Sequence, residues 1–188
     1  QRTWFHRLFV EKCHHSGIRT SMFFQCPTRS MSCEVLKSLT TLTLSLALAL
    51  HAAGFATDYW SSRVLFNLET GNNGLWKQCT LGICIKISEP SAYFTTVQVI
   101  MSTAVILYAM SSIIALNVTF IASVGRSVDS TVCFWKSVIA VAFLQATVVA
   151  IGLIVYGAKV GHMSYSFYLA VGGAASSIVG GIFAIFAN

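Results

Sequence analysis

Cysteine and histidine are the residues in this chain whose chemistry is most distinctive. Cys13-His14-His15 with Cys26 offers zinc-type ligands. Structural zinc sites usually repeat a tight pair twice, however, and here the second pair is missing. Cys79 and Cys84 lie five positions apart, a spacing that by itself fits a disulfide or two free thiols. They close a stretch that begins at Trp60 and runs through Gly74-Leu75-Trp76. Aromatic rings collect at the headgroup level of any membrane, so a lone tryptophan there carries little information. No nucleophile, base and acid come together in the sequence, the histidines are scattered, and no glycine-rich loop leads from a strand to a helix. Neither an enzyme nor a bound cofactor or metal is expected.

The elements that must position these residues are apolar. Of 188 residues, 55% are hydrophobic and only 10% charged, with a mean hydropathy of +0.72. Soluble domains carry about 25% charge, so a membrane protein of one domain is expected. A formal charge of +6 points to nucleic acid only where basic residues share a face. Here Arg2, Arg7, Lys12, Arg19, Arg29 and Lys37 cluster ahead of the first apolar run instead. That is the pattern of a cytoplasmic flank, and no nucleic-acid partner is expected. Residues 1–30 show neither helical nor alternating periodicity and read as a disordered or spurious extension. Met22 and Met31 both offer starts, and Met31 leads directly into the first run.

Crossing a bilayer takes about 20 apolar residues at about 1.5 Å each. Four runs qualify, near 36–55, 93–115, 138–156 and 165–186, within a domain covering 31–188. The first is rich in Leu and Ala, with Lys37 at its start and His51 near its far end. A secretory signal cleaved near Ala53-Gly54-Phe55-Ala56 is the competing reading, but such signals have apolar cores of about 7–15 residues. A retained helix fits better. The second run continues apolar toward Ile121 and contains Asn117-Val118-Thr119, a glycosylation pattern misplaced within a helix. The apolar cores lack Asp, Glu, Lys and Arg, which argues against a pump or coupled transporter. Gln98 and Gln145 are expected to hydrogen-bond between helices. In the fourth run Gly172, Ser176 and Gly180 recur every fourth position, as do Gly173, Ser177 and Gly181. Each trio shares one side of a helix. Strips of small residues let helix backbones approach closely, within the bundle or between protomers.

Eight basic residues flank one side of these runs and four the other, which places both termini inside. The loop over 57–91 then faces an oxidising space, where a disulfide persists. Within it, 63–68, 74–79 and 83–87 favour strands, with Gly71-Asn72-Asn73-Gly74 as a turn between the first two. A small hairpin alone is marginal in water. It needs a staple from Cys79 and Cys84, and a seat, for which Trp60 and Trp76 are the candidates. The expected fold is an all-α membrane protein: an antiparallel bundle of four transmembrane helices under a small disulfide-stapled extracellular β-sheet.

Trp60, then Gly74-Leu75-Trp76 with Cys79 and Cys84, in the first outer loop of a four-span chain resembles the claudin superfamily. That group includes the peripheral myelin, epithelial membrane and lens fibre membrane intrinsic proteins. The short gap between the cysteines, with Glu89 to Tyr93 leading into the second span, is more similar to the lens fibre and claudin-domain-containing branch. Ser164–Tyr168 at the start of the fourth span also looks familial. The resemblance implies that Cys79 and Cys84 pair, and that Trp60, Gly74, Leu75 and Trp76 seat an extracellular sheet on the bundle. The chain departs from claudins in three ways. Its outer loop is shorter, and there Arg63, Lys77 and Lys86 balance Asp58, Glu69 and Glu89. After Asn188 no tail of the kind by which claudins bind scaffolds follows, so truncation or loss of that partner class is expected.

What the resemblance implies is a non-enzymatic plasma-membrane protein that organises cell–cell contacts or membrane domains. Its partners would be the lipid bilayer and itself or related four-span proteins, laterally and across cells at junctions. The alternative is an auxiliary subunit of a membrane channel or receptor.

Overall fold

The computed structural model describes residues 31–65, 68–80, 83–88, 91–123, 128–160 and 162–187. The expectation of an extension over residues 1–30, and the zinc-type cluster within it, falls outside them. Among the described residues the chain forms helices α1 (Met31–Ala56), α2 (Ala92–Ser123), α3 (Val128–Gly157) and α4 (Tyr165–Ala187). Strands β1 (Ser61–Leu65), β2 (Leu68–Asn73), β3 (Lys77–Thr80) and β4 (Ile83–Lys86) all lie between α1 and α2.

Each helix contains a stretch long and apolar enough to cross a membrane: Glu34–Ala56, Ala92–Phe120, Trp135–Gly157 and Tyr165–Ala187. The chain is thus mostly helical, in a form compatible with a multi-pass membrane bundle. α1 packs on α2 and α4, and α3 packs on α2 and α4, closing a ring. The second run is longer than its expected end near residue 115, because no charge or breaker interrupts it before α2 ends.

Small residues set the closest approach, between α1 and α4. A Cβ on Gly54 would sit 2.7 Å from the Ser166 carbonyl oxygen, and one on Gly173 3.1 Å from that of Ala47. Gly180 faces Thr43 and Leu44 of α1, and Gly181 faces Ala142 and Phe143 of α3. Both small-residue strips of α4 therefore contribute to contacts within the bundle. Gly172 has only ordinary contact room, with Leu50 Cδ1 at 3.6 Å, and Ser176 is half-buried.

Polar side chains join the helices across the apolar interior. The Ser111 hydroxyl donates to Gln145 Oε1 at 2.9 Å, Gln145 Nε2 donates to Ser177 Oγ, and Ser177 donates to the Ala142 carbonyl at 2.8 Å. One buried amide thus links α2, α3 and α4. Thr41 and Thr119 share a 2.9 Å bond between α1 and α2, and the Ser112 hydroxyl donates to the Leu44 carbonyl. His51 is buried on α1, with its ring 4.9 Å from that of Tyr108 and Nε2 3.4 Å from the Met101 carbonyl.

The sheet is antiparallel in the order β1-β2-β3-β4. Gly71 to Asn73, expected as a turn, instead complete β2 and pair with both neighbours: Asn72 lies opposite Ser62 on one side and Cys79 on the other. The reversal comes next, where the Gly74 N–H donates to the Lys77 carbonyl at 2.8 Å. Pairing on two edges outweighs the turn preference of the Asn-Gly sequence. The register also slips between Arg63 and Val64, opposite Gly71. A Cβ at Gly71 would fall 2.5 Å from the Cys79 carbonyl oxygen, so only glycine lets β3 run this close.

Gly54→Ala is expected to overpack the α1–α4 contact by about 1–3 kcal/mol and to lower the thermal midpoint of the detergent-purified protein. Gly172→Ala should leave the midpoint unchanged or raise it, through helix propensity of up to about 1 kcal/mol. Equal losses for the two would contradict this packing.

Candidate functional site

The loop residues singled out by sequence converge on the sheet-bearing end of the bundle, and Trp60 lies at their centre. It follows α1 by four positions and is 0% exposed. Its indole N–H donates to the Gly54 carbonyl at 2.8 Å, one of the carbonyls that the end of α1 leaves without a helical partner. Thr57 adds to the same cap, its hydroxyl donating to the Ala53 carbonyl at 2.8 Å. The Trp60 backbone N–H donates to the Asn73 carbonyl of β2 at 2.9 Å. Its own carbonyl accepts the Ser164 N–H at 3.1 Å, just ahead of α4. The ring meets Tyr156 of α3 and Phe167 of α4 edge-on, with centroids 5.2 and 6.3 Å apart. One residue therefore ties α1, β2, the end of α3 and the start of α4.

Its neighbours repeat the pattern. The Ser166 N–H donates to the Tyr59 carbonyl at 3.1 Å, and Ser61 makes an isolated antiparallel bridge with Met163. Thr57 and Ser166 share a 2.7 Å hydroxyl bond. The α3–α4 connection is thereby bound along the β1 side of the sheet.

Gly74, Leu75 and Trp76 form a second point of attachment. A Cβ on Gly74 would lie 2.6 Å from Asp58 Cα, so a side chain here would separate the turn from the end of α1. Leu75 is fully buried in the core cluster that holds Trp60, Val97 and Tyr156. Its carbonyl accepts a bond from Gln98 Nε2. Gln98 was expected to bond between helices; instead α2 uses it to hold the β2–β3 turn. Trp76 also differs from expectation. Its ring rests edge-on against Phe55 at 5.2 Å but stays 36% exposed. In the bend between β2 and β3 it is Leu75 that takes the buried position, which leaves Trp76 toward the surface.

Cys79 and Cys84 face each other across β3 and β4 and form a disulfide, with Cα atoms 4.0 Å apart. In the chain-entropy model so short a closure contributes about 2 kcal/mol. Cys79 is buried and Cys84 exposed. Lys77 lies 3.9 Å from Asp58, a pair exposed enough to add little.

Among the described residues no cluster of three or more His, Cys, Asp or Glu side chains could hold a metal ion. What the geometry builds is a small disulfide-closed sheet seated on an apolar bundle. Sequence reasoning missed the roles of Gly54, Tyr156 and Ser164. The small residues near Gly54 and the tyrosine ending the third run were the available signals. Compared with known proteins, the chain matches no protein-family model and no curated protein.

Removing a buried tryptophan ring costs about 3–5 kcal/mol. Trp60→Ala is therefore expected to lower the thermal midpoint in detergent far more than Trp76→Ala, whose ring is partly in solvent. The reverse ranking would contradict the seating described here.

Proposed function

We propose that this protein is a non-enzymatic four-span membrane protein of claudin-superfamily type. It organises cell–cell contacts or membrane domains at the plasma membrane, with the sheet outside and both termini in the cytoplasm. The observation that carries the reading is the Cys79–Cys84-closed sheet seated on the bundle through buried Trp60. A disulfide persists in an oxidising space, which supports an outward-facing sheet. The excess of Lys and Arg on the other side of the spans supports the same orientation.

Gly173, Ser177, Gly180 and Gly181 of the α4 strips are taken up inside the bundle, while Gly172 and Ser176 are only partly covered. Lateral association in the membrane therefore falls to the large apolar side chains on outward faces, such as Ile106 and Phe120 of α2 and Ile154 of α3. Contact between cells falls to the sheet.

The test is expression of the tagged full-length chain in non-adherent cells. Clustering with the chain concentrated at contacts, together with lateral oligomers by cross-linking, is the expected result. Absence of both would refute the proposal. Stoichiometric co-purification of a larger pore-forming partner would favour the auxiliary-subunit alternative. A membrane-impermeant thiol reagent on intact cells should label Cys79 and Cys84 only after reductant is added.

A further inference from the structure

The β3–β4 hairpin carries an apolar surface that the reading above does not use. Ile83 and Ile85 of β4 are 72% and 62% exposed. They share one face of the strand, while Cys84 and Lys86 take the other. β4 is the last strand of the sheet and pairs only with β3.

Depth decides what meets this face. The apolar stretch of α2 covers 29 residues, about 43 Å at about 1.5 Å per residue. The hydrocarbon of a bilayer is only about 30 Å thick, so about 13 Å is left for the two headgroup layers together and roughly the first turn of α2 lies in the outer one. Gln98, six residues into α2, falls near the boundary with the hydrocarbon. That side chain holds the Leu75 carbonyl, and the next residue, Trp76, packs on Phe55 in the last turn of the α1 span. Two helices thus place the β2–β3 turn at the same level. The Ile87 N–H donates to the Trp76 carbonyl at 3.1 Å, which sets the end of β4 there as well. Ile85 is two residues further along and Ile83 two more, about 7 Å per step.

We infer that the β3–β4 hairpin lies on the surface of the protein's own membrane. Ile83 and Ile85 enter the headgroup layer beside the exposed edge of Trp76. Lys77 and Lys86, neighbours on the opposite face, stay in water, with Lys77 turned toward Asp58. Tryptophans such as Trp76 mark membrane interfaces. A second copy is a poorer occupant. A stable interface needs about 800 Å² and 20–30 residues from each partner, whereas β4 has four residues. Lys86 on the edge strand also opposes strand-to-strand pairing.

The inference rests on the helices spanning a membrane, and not on any role in cell contact. It is tested by placing the photo-crosslinking residue benzoylphenylalanine singly at Ile83, Ile85, Ile154 or Lys159 of the full chain in cell membranes. Ile83 and Ile85 point outward, so the replacement disturbs no packing. After irradiation, positions 83 and 85 should give phospholipid adducts by mass spectrometry at levels near those of lipid-facing Ile154. Both should exceed the exposed turn residue Lys159 several-fold. A crosslinked dimer of the chain, an adduct to another protein, or lipid capture no greater than at Lys159 would overturn the inference. Failure of Ile154 itself to capture lipid would overturn the spanning reading beneath it.

Discussion

A buried tryptophan that hydrogen-bonds in three directions is the contact on which the rest of this structure depends. A β-sheet of short strands cannot hold itself in place, and a helix end leaves carbonyls unpaired. Trp60 answers both needs at once. Its indole N–H reaches the end of α1, its backbone reaches β2 and the approach to α4, and its ring fills the space between Tyr156 and Phe167. Each of these groups would otherwise be an unpaired polar atom or a cavity beside a fully buried ring, and a buried polar group without a partner is costly. The disulfide acts farther out. It closes the edge of the sheet, whereas Trp60 joins the sheet to the helices.

The bundle beneath uses a different set of forces. Where lipid tails are as apolar as leucine, no hydrophobic force draws helices together. Close backbone approach and interhelical hydrogen bonds must do so instead. Gly54, Gly173 and Gly180 provide the approach between α1 and α4, and Gln145 provides the shared hydrogen bonds among α2, α3 and α4. These bonds are worth on the order of 1 kcal/mol each, so shape does most of the holding. With the small residues turned inward, the outward faces keep large aliphatic and aromatic side chains. That is the arrangement a lipid environment favours.

Much of this architecture is legible in the residues alone. Runs of about twenty apolar residues locate the helices, and glycine or serine at every fourth position marks the close-packed side of α4. A cysteine pair beside two tryptophans marks the sheet. The details that escape such reading are those in which tertiary contacts override local preference. Gly71-Asn72-Asn73 has the composition of a turn, yet it has strands to pair with on both sides. Residues 63–68 contain neither glycine nor proline, so Asn67 is the lone turn-favouring residue between the end of β1 at Leu65 and the start of β2 at Leu68. Gln98 sits in an apolar run like Gln145, but only the fold brings a loop carbonyl to it. Trp60 and Trp76 look equivalent in sequence. The inward turn of Leu75 buries one attachment and leaves the other ring at the surface.

The most direct test of the central claim is hydrogen–deuterium exchange on the full chain in nanodiscs, with Trp60 and with Trp60→Ala. If one side chain joins the sheet to the helix ends, the substitution must release both at once. Peptides covering 72–80 and 163–167 should then lose protection together, while the middle of the helices keeps it. Loss confined to one of the two segments, or to neither, would contradict the account.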